Sequence, residues 1–194
     1  MAGRPKNFTE TELIDSATEV FWQKGYHAAS AQDLLQAMGI GQGSFYRTFP
    51  KGKKEIYRKS LVRFLNLSIQ RFHVGLEDSD DPLVFIETFF RDLVRKTPEK
   101  RAKGCYLGNA LIEWKNLDED TAKQATELLN ELKKGFEKAL RRARRQGLLG
   151  SETSTALSAL HLLNLWNGIN VTLRTDVSGP ELEQLVELNL AVLR

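Results

Sequence analysis

The sequence predicts an all-α protein of about nine helices. Apolar residues recur at helical spacing through almost all of its 194 residues, and only five residues are proline. No stretch alternates between apolar and polar residues as a half-buried strand does. The chain is long enough to bury a substantial core, as one domain or as two small ones.

The first helix is expected over residues 10–24. Thr9 and Glu12 have the spacing of a capping box, in which each residue satisfies a backbone N–H group of the other. Leu13, Ala17 and other apolar residues form one stripe along it, and Gly25 is expected to end it. The stripe predicts that this helix packs on the two short helices that follow.

Residues 30–53 predict two short helices joined by a tight turn. Ser30 and Asp33 approximate a capping box, and Gly39 suits the left-handed position that ends a helix. The second helix begins near Gly41, and Pro50 ends it. Two short helices joined by a turn that contains glycine form a helix-turn-helix unit, whose second helix normally enters the DNA major groove.

These residues also carry a family pattern, GY-x3-S-x2-D-L-x4-GI-x2-GSFYRTFP-x-GK-x2-I, which begins at Gly25. The pattern resembles the DNA-binding domain of TetR-type (tetracycline-repressor-like) bacterial regulators, and within them a subgroup with an FPxGK loop. The resemblance covers residues 8–65. Gly41 departs from it, because the family often has Ser or Thr there, so one hydroxyl that would anchor the DNA backbone is missing.

The resemblance implies two domains. Residues 1–52 would form a three-helix helix-turn-helix DNA-binding domain. Residues 53–194 would form a larger helical domain for effector binding and dimerisation. Residues 1–7, with Arg4 and Lys6, would be either an arm that contacts DNA or a solvated terminus.

The second helix of the unit has one face for the core and one for DNA. Phe45 and Phe49 are four residues apart and are expected to face the core. On the other face, Gln42 and Arg47 can make paired hydrogen bonds to adenine and guanine edges. Tyr46 matches the tyrosine that usually contacts phosphate in the resembled family. Lys53 matches the lysine at the start of that family's fourth helix. The predicted DNA-binding residues are Ser30, Gly41, Gln42, Gly43, Ser44, Tyr46, Arg47 and Lys53.

The charge distribution agrees with this placement. Residues 1–60 carry nine Lys or Arg and six Asp or Glu, whereas the remaining residues carry nineteen of each. An excess of positive charge beside the helix-turn-helix suits a phosphate backbone. There is no apolar leader, no long uninterrupted apolar run and only one cysteine, so a soluble cytoplasmic protein without disulfide, membrane partner or cofactor is expected.

The second half of the chain is divided by short polar breaks. The helix that begins near Lys53 links the two predicted domains, and the next, over residues 83–96, is apolar nearly all round and therefore expected to be buried. Residues 97–100 break it. Four arginines near residue 145 favour a solvated helix end over a second DNA-binding patch. The remaining helices are expected over residues 103–114, 120–146, 154–174 and 180–193.

A ligand chamber is expected in this half, because aromatic residues and polar groups are interspersed among aliphatic ones. TetR-type regulators bind a small effector there. Cys105 would lie in the first turn of a helix near Arg101 and Lys103, which would lower its thiol pKa and suit a sensor of oxidants or electrophiles. The favoured alternative is a small buried apolar residue, which free cysteines usually are. The predicted ligand-binding residues are Phe72, Phe89, Cys105, Tyr106, Trp114, Trp166 and Asn170.

The resembled family pairs its last two helices with those of a second subunit. The predicted dimerisation residues are Leu160, Leu163, Leu182, Leu185, Val186, Asn189 and Val192. A dimer also makes physical sense, because two recognition helices about 34–36 Å apart read a palindrome.

The favoured function is therefore a homodimeric transcriptional repressor that binds a palindromic operator in double-stranded DNA. A small-molecule effector, or modification of Cys105, would release it. An activator or architectural protein could use the same helix-turn-helix. A remote alternative is an enzyme with Cys105 as nucleophile and His73 or His161 as base, but the chain has no glycine-rich cradle or paired carboxylates, so no catalytic residue is assigned. A protein-binding helical module is the third class.

Overall fold

The computed structural model describes residues 8–193, so the predicted arm with Arg4 and Lys6 lies outside the described residues. The all-α prediction is confirmed, and residues 8–193 contain no strand. The helices are α1 (Glu10–Ala28), α2 (Ala31–Met38), α3 (Gln42–Thr48), α4 (Lys53–Asp78), α5 (Pro82–Val94), α6 (Pro98–Lys103), α7 (Tyr106–Trp114), α8 (Glu119–Arg145), α9 (Thr155–Thr172), α10 (Gly179–Leu190) and a closing 3-10 turn (Ala191–Leu193).

Helices α1 to α3 form the head. The capping boxes predicted at Thr9 and Ser30 are both present. Gly39 ends α2 with φ 65°, a left-handed conformation that glycine adopts without steric cost. Gly25 breaks the helical backbone with φ 79°, and the chain then adds one further turn before Ala29.

Helix α4 runs from the head into the body, which is formed by α5 to α10. It packs against α1 and α8, so one continuous helix belongs to both regions. Two apolar clusters divide the interior. The head-side core comprises buried residues of α1 to α3, the first half of α4, α7 and the start of α8. The body-side core comprises those of the second half of α4, α5, the rest of α8, α9 and α10.

Three parts of the body differ from the sequence prediction. The segment expected only to break the chain after α5 forms the short helix α6, because Pro98 occupies its first turn, where its missing N–H group costs nothing. Helix α5 is not buried all round, since Val84 is half exposed. Two of the C-terminal arginines of α8 bind backbone carbonyl groups: Arg142 donates to those of Leu76, in the last turn of α4, and of Ser79, and Arg144 donates to that of Thr153.

The last two helices expose only part of the predicted dimerisation set. Leu182 and Val186 are buried in the body-side core of their own chain, so that part of the prediction is wrong. The predicted apolar stripe of α10 is present, but it packs against the core of the same chain and does not face a second subunit. Leu163, Leu185 and Asn189 are half-buried, whereas Leu160 and Val192 are exposed. Other apolar side chains exposed on these helices are Leu157, Val171 and Leu188.

Candidate nucleic-acid interface

Helix α3 presents the polar face that the sequence predicts. Phe45 and Phe49 are buried in the head-side core, while Gln42, Tyr46 and Arg47 are exposed. Arg47 has no ion pair with any carboxylate in residues 8–193. Its guanidinium is therefore available for an outside partner.

A groove of about 520 Å³ lies between α2 and α3. Besides Gln42 and Tyr46 it is lined by Gln32 and Gln36 of α2, which the sequence analysis did not select. Both glutamines are exposed and follow Ser30 on the outer face of α2, so their i, i+4 spacing was the available signal. Amide side chains beside the recognition helix can donate to phosphate or base oxygens.

The glycines and serines around α3 have different roles. Gly41 and Gly43 are exposed, and a Cβ atom at either would meet no atom within 4 Å, so neither is required by packing inside the chain. Ser44 is also exposed. The Ser30 hydroxyl accepts from the Asp33 N–H at 3.1 Å and thus caps α2.

Asp33 carries the charge that holds the start of α2. A hydrogen bond from the Lys24 ammonium, together with bonds from the Ser30 N–H and hydroxyl, lowers the pKa of Asp33 to about 2. The Lys24 Nζ–Asp33 Oδ1 distance is 2.7 Å. Helices α1 and α2 are therefore joined by an ion pair near the end of α1 and the start of α2.

Lys53 does not simply project into solvent. Its ammonium lies 4.4 Å from the centroid of the Tyr26 ring and 3.5 Å from the His27 carbonyl oxygen. Burial lowers the Lys53 pKa, while the nearby charge of Glu113 opposes the shift. Lys53, the predicted DNA-binding lysine, thus lies where α1, α4 and α7 meet.

Glu113 of α7 connects the head to the body. Its two carboxylate oxygens accept from the backbone N–H groups of Tyr26 and His27 at 3.0 and 2.9 Å. Those groups follow the break at Gly25, where the helical hydrogen bonds of α1 are interrupted. Asp118 reinforces the junction by binding Lys54 at 2.5 Å, which helps to lower the Asp118 pKa to about 2. The body therefore holds both the end of α1 and the start of α4.

The predicted ligand-binding residues do not surround one open chamber. Cys105, Tyr106 and Trp114 are buried in the head-side core, whereas Phe72 is buried in the body-side core and Phe89 packs against it. Trp166 contacts both, and Asn170 donates to the Trp166 carbonyl oxygen at 2.8 Å. None of the five grooves described for residues 8–193 is lined by any of these side chains. In this conformation they fill the interior.

Cys105 is buried, which agrees with the buried apolar residue and not with the sensor hypothesis. It precedes α7, and its sulfur accepts from the Gly108 N–H and from Trp166 Nε1, both at 3.3 Å. The expected lowering of its pKa is wrong: burial raises the pKa of the thiol despite those bonds and nearby Lys96. Removal of the sulfur from water outweighs the favourable dipoles. Residues 8–193 contain no cluster of ligands suited to a metal ion, and none of their helices could span a membrane.

Two family descriptions match the chain. "Bacterial regulatory proteins, tetR family" covers residues 13–59, which include α2 and α3, and "Tetracyclin repressor-like, C-terminal domain" covers residues 85–187. The regulator YezE of Bacillus subtilis, an uncharacterized HTH-type transcriptional regulator, is 30% identical over 98% of this chain and 99% of its own length. The transcriptional repressor DhaR of Mycobacterium sp. strain GP1 is 23% identical over 90% of this chain and 86% of its own.

Solved structures share the complete architecture. The TetR family regulator CifR, as a cysteine mutant complexed with a 26-bp double-strand operator DNA, superimposes with a TM-score of 0.85, covering 98% of this chain and 100% of its own at 24% identity. The reduced form of Escherichia coli NemR gives 0.83, covering 95% and 96% at 19% identity. At these identities the likeness concerns the fold.

Proposed function

The chain belongs to the tetR family of bacterial regulatory proteins, and we propose that it is a homodimeric repressor. In this proposal, the dimer binds a palindromic operator and a small molecule bound in the C-terminal body releases it. The observation that carries the proposal is the exposed polar face of α3. Gln42, Tyr46 and Arg47 are exposed on it, while Phe45 and Phe49 are buried in the core.

The proposed DNA contacts divide into two kinds. Gln42 and Arg47 would read base edges, because amide and guanidinium groups can form paired hydrogen bonds there. Ser44, Tyr46 and Lys53, with the backbone at Gly41 and Gly43, would position the head on phosphates. Ser30 acts through the cap of α2, since its hydroxyl already accepts from Asp33.

Exposed apolar side chains on α9, α10 and the closing 3-10 turn support the homodimer. Leu160, Leu188 and Val192 are each more than half exposed in the single chain, and Leu157 and Val171 extend the surface along α9. Large apolar side chains that stay exposed in the single chain can be buried in a subunit interface. We therefore place the interface on these side chains rather than on Leu182 and Val186.

The two parts of the proposal, repression and release by a ligand, are supported by different observations. DhaR is described as a repressor, and the CifR cysteine mutant is complexed with operator DNA. Helix α7, which belongs to the body, bonds directly to the end of α1, so a change in the body can shift the head. A reversible ligand is favoured over modification of Cys105, because the buried thiol is largely protonated near neutral pH.

Footprinting of the purified protein on the DNA beside its own gene tests the proposal. We expect two protected half-sites about one helical turn apart, with symmetry that reflects the protein dimer. The position of the site relative to the promoter separates repression from activation. The proposal is contradicted if the protein protects none of the candidate operators at low salt and also protects no sequence selected by binding from a pool of random DNA.

A further inference from the structure

A second groove, of about 480 Å³, lies between α6 and the segment that follows α9. This volume is within the range of small-ligand sites, which are mostly apolar with a few placed polar groups. The groove combines apolar side chains with two guanidinium groups. The apolar part comprises Pro98, Ala102, Leu173 and Val177, and the charged part comprises Arg101 and Arg174.

Both guanidinium groups are fixed by backbone carbonyl groups. Arg174 donates from Nε to the Ala102 oxygen at 3.2 Å and from Nη2 to the Lys103 oxygen at 2.6 Å. Arg101 donates from Nε to the Lys96 oxygen at 2.7 Å. Because a guanidinium has five N–H donors, each arginine retains donors for an anion while its position is held.

The groove also lacks internal charge compensation. No carboxylate in residues 8–193 forms an ion pair with Arg101 or Arg174. The acid at the start of α10, Glu181, instead bonds to the Ser178 N–H and hydroxyl.

We propose that this groove binds a small carboxylate with an apolar tail. Arg101 and Arg174 hold the carboxylate, because the planar guanidinium fork matches its two oxygens. The tail lies on Pro98, Ala102, Leu173 and Val177. The ligand class follows from the pairing of two uncompensated cations with an apolar floor: an inorganic anion leaves the floor bare, and a neutral apolar molecule leaves the guanidinium groups unpaired.

The groove adjoins a contact between body and head. The Arg174 side chain lies against Gly104, where an added Cβ atom would be 2.7 Å from Arg174 Nε. The carbonyl oxygen of Gly104 accepts from Trp22 Nε1 of α1 at 3.1 Å. A carboxylate that draws Arg174 towards itself therefore acts on the peptide that holds α1. This coupling rests on the proposed function, whereas binding in the groove does not.

Titration calorimetry with octanoate tests the site on the full chain without DNA. Octanol keeps the tail and lacks the charge, and acetate keeps the charge and lacks the tail. We expect octanoate to bind at least about tenfold more tightly than either, and Arg101→Gln or Arg174→Gln to weaken it about tenfold or more. Arg141→Gln is the matched control, because Arg141 pairs with Glu137 on the surface of α8.

The proposal is overturned if octanoate does not bind at about 10 mM, if octanol binds equally well, or if both arginine variants bind octanoate as the unaltered chain does. Arg174→Gln also removes hydrogen bonds to two carbonyl groups and could unfold the chain. If the Arg174→Gln variant loses its helical circular dichroism, the octanoate affinity of the Arg101→Gln variant alone tests the site. Footprinting with octanoate then examines the coupling. Binding without loss of operator protection contradicts the coupling and leaves the site intact, whereas failure to bind any operator concerns the proposed function.

Discussion

The two cores of the molecule differ in their aromatic residues. The buried aromatic residues of the body-side core are all phenylalanine, whereas those of the head-side core also include tyrosine and tryptophan. In and beside the head-side core, rings with polar tips form hydrogen bonds: Tyr106 shares one with Ser60 at 2.6 Å, and Trp22 donates to Gly104. The body-side core uses phenyl rings, with Phe136 5.5 to 5.7 Å from the centroids of Phe72, Phe89 and Phe90. Directional bonds fix the orientation of α1 on α7, whereas the phenyl cluster mainly supplies buried apolar area. One core sets the direction of the head, and the other holds the body together.

The largest effect is expected from Phe136→Ala. The side chain is fully buried among three phenyl rings, so its removal leaves a cavity and is expected to cost about 3–5 kcal/mol of folding free energy. Denaturant unfolding measures this loss. Phe136→Leu, which fills most of the space, is the matched control, and a loss from Phe136→Ala no greater than from the control would contradict the account.

Glu113→Ala tests the connection between the two regions. It leaves the N–H groups of Tyr26 and His27 without their acceptors, which is expected to cost about 1–3 kcal/mol. Hydrogen exchange at these two amides is expected to accelerate more than exchange elsewhere in the head. Glu127→Ala, an exposed change on α8, serves as control. Uniform acceleration throughout the head would show that Glu113 has no local role.

Tyr106→Phe is expected to be milder. It removes one hydroxyl group and leaves the ring, while Ser60 keeps its bond to the Tyr57 carbonyl oxygen. The expected loss is about 1 kcal/mol, measured by denaturant unfolding. A loss as large as that of Phe136→Ala would mean that the polar contacts of the head-side core also supply most of its stability.

The smallest effect is expected from the acid dependence of stability. Asp33 and Asp118 have pKa values of about 2 in the folded chain, below the ordinary 3.8. Their contribution is fully present above the ordinary value and is lost as the pH falls through about 2. Asp33→Asn and Asp118→Asn are therefore expected to give a shallower decline of melting temperature between about pH 4 and 2. An unchanged decline in the double variant would contradict these ion pairs.

The sequence was most informative where a local pattern determines the structure. Capping spacings at Thr9 and Ser30, the glycine at position 39 and the phenylalanine pair of α3 predicted the head because each acts within one or two helical turns. The body was predicted less well. The inward stripe of α10 looked like an interface, since periodicity identifies an apolar face without saying whether the same chain or another covers it.

Long-range contacts explain the other errors. In the sequence Cys105 lies near a helix start and cations, but the burial that raises its pKa comes from tertiary packing. Glu113 was missed because its partners lie 86 and 87 residues earlier in the chain. Arg101 and Arg174 are likewise far apart in the sequence, so nothing in it indicated that they line the same groove.

The central claim is that the exposed face of α3 reads DNA. The most direct measurement compares the affinities of the unaltered chain and Arg47→Ala for the footprinted operator and for a scrambled duplex, across a salt series. We predict that Arg47→Ala weakens operator binding by about 1–3 kcal/mol and leaves binding to the scrambled duplex nearly unchanged, whereas Arg141→Ala changes neither. Equal operator affinity for the Arg47→Ala variant and the unaltered chain would contradict the account.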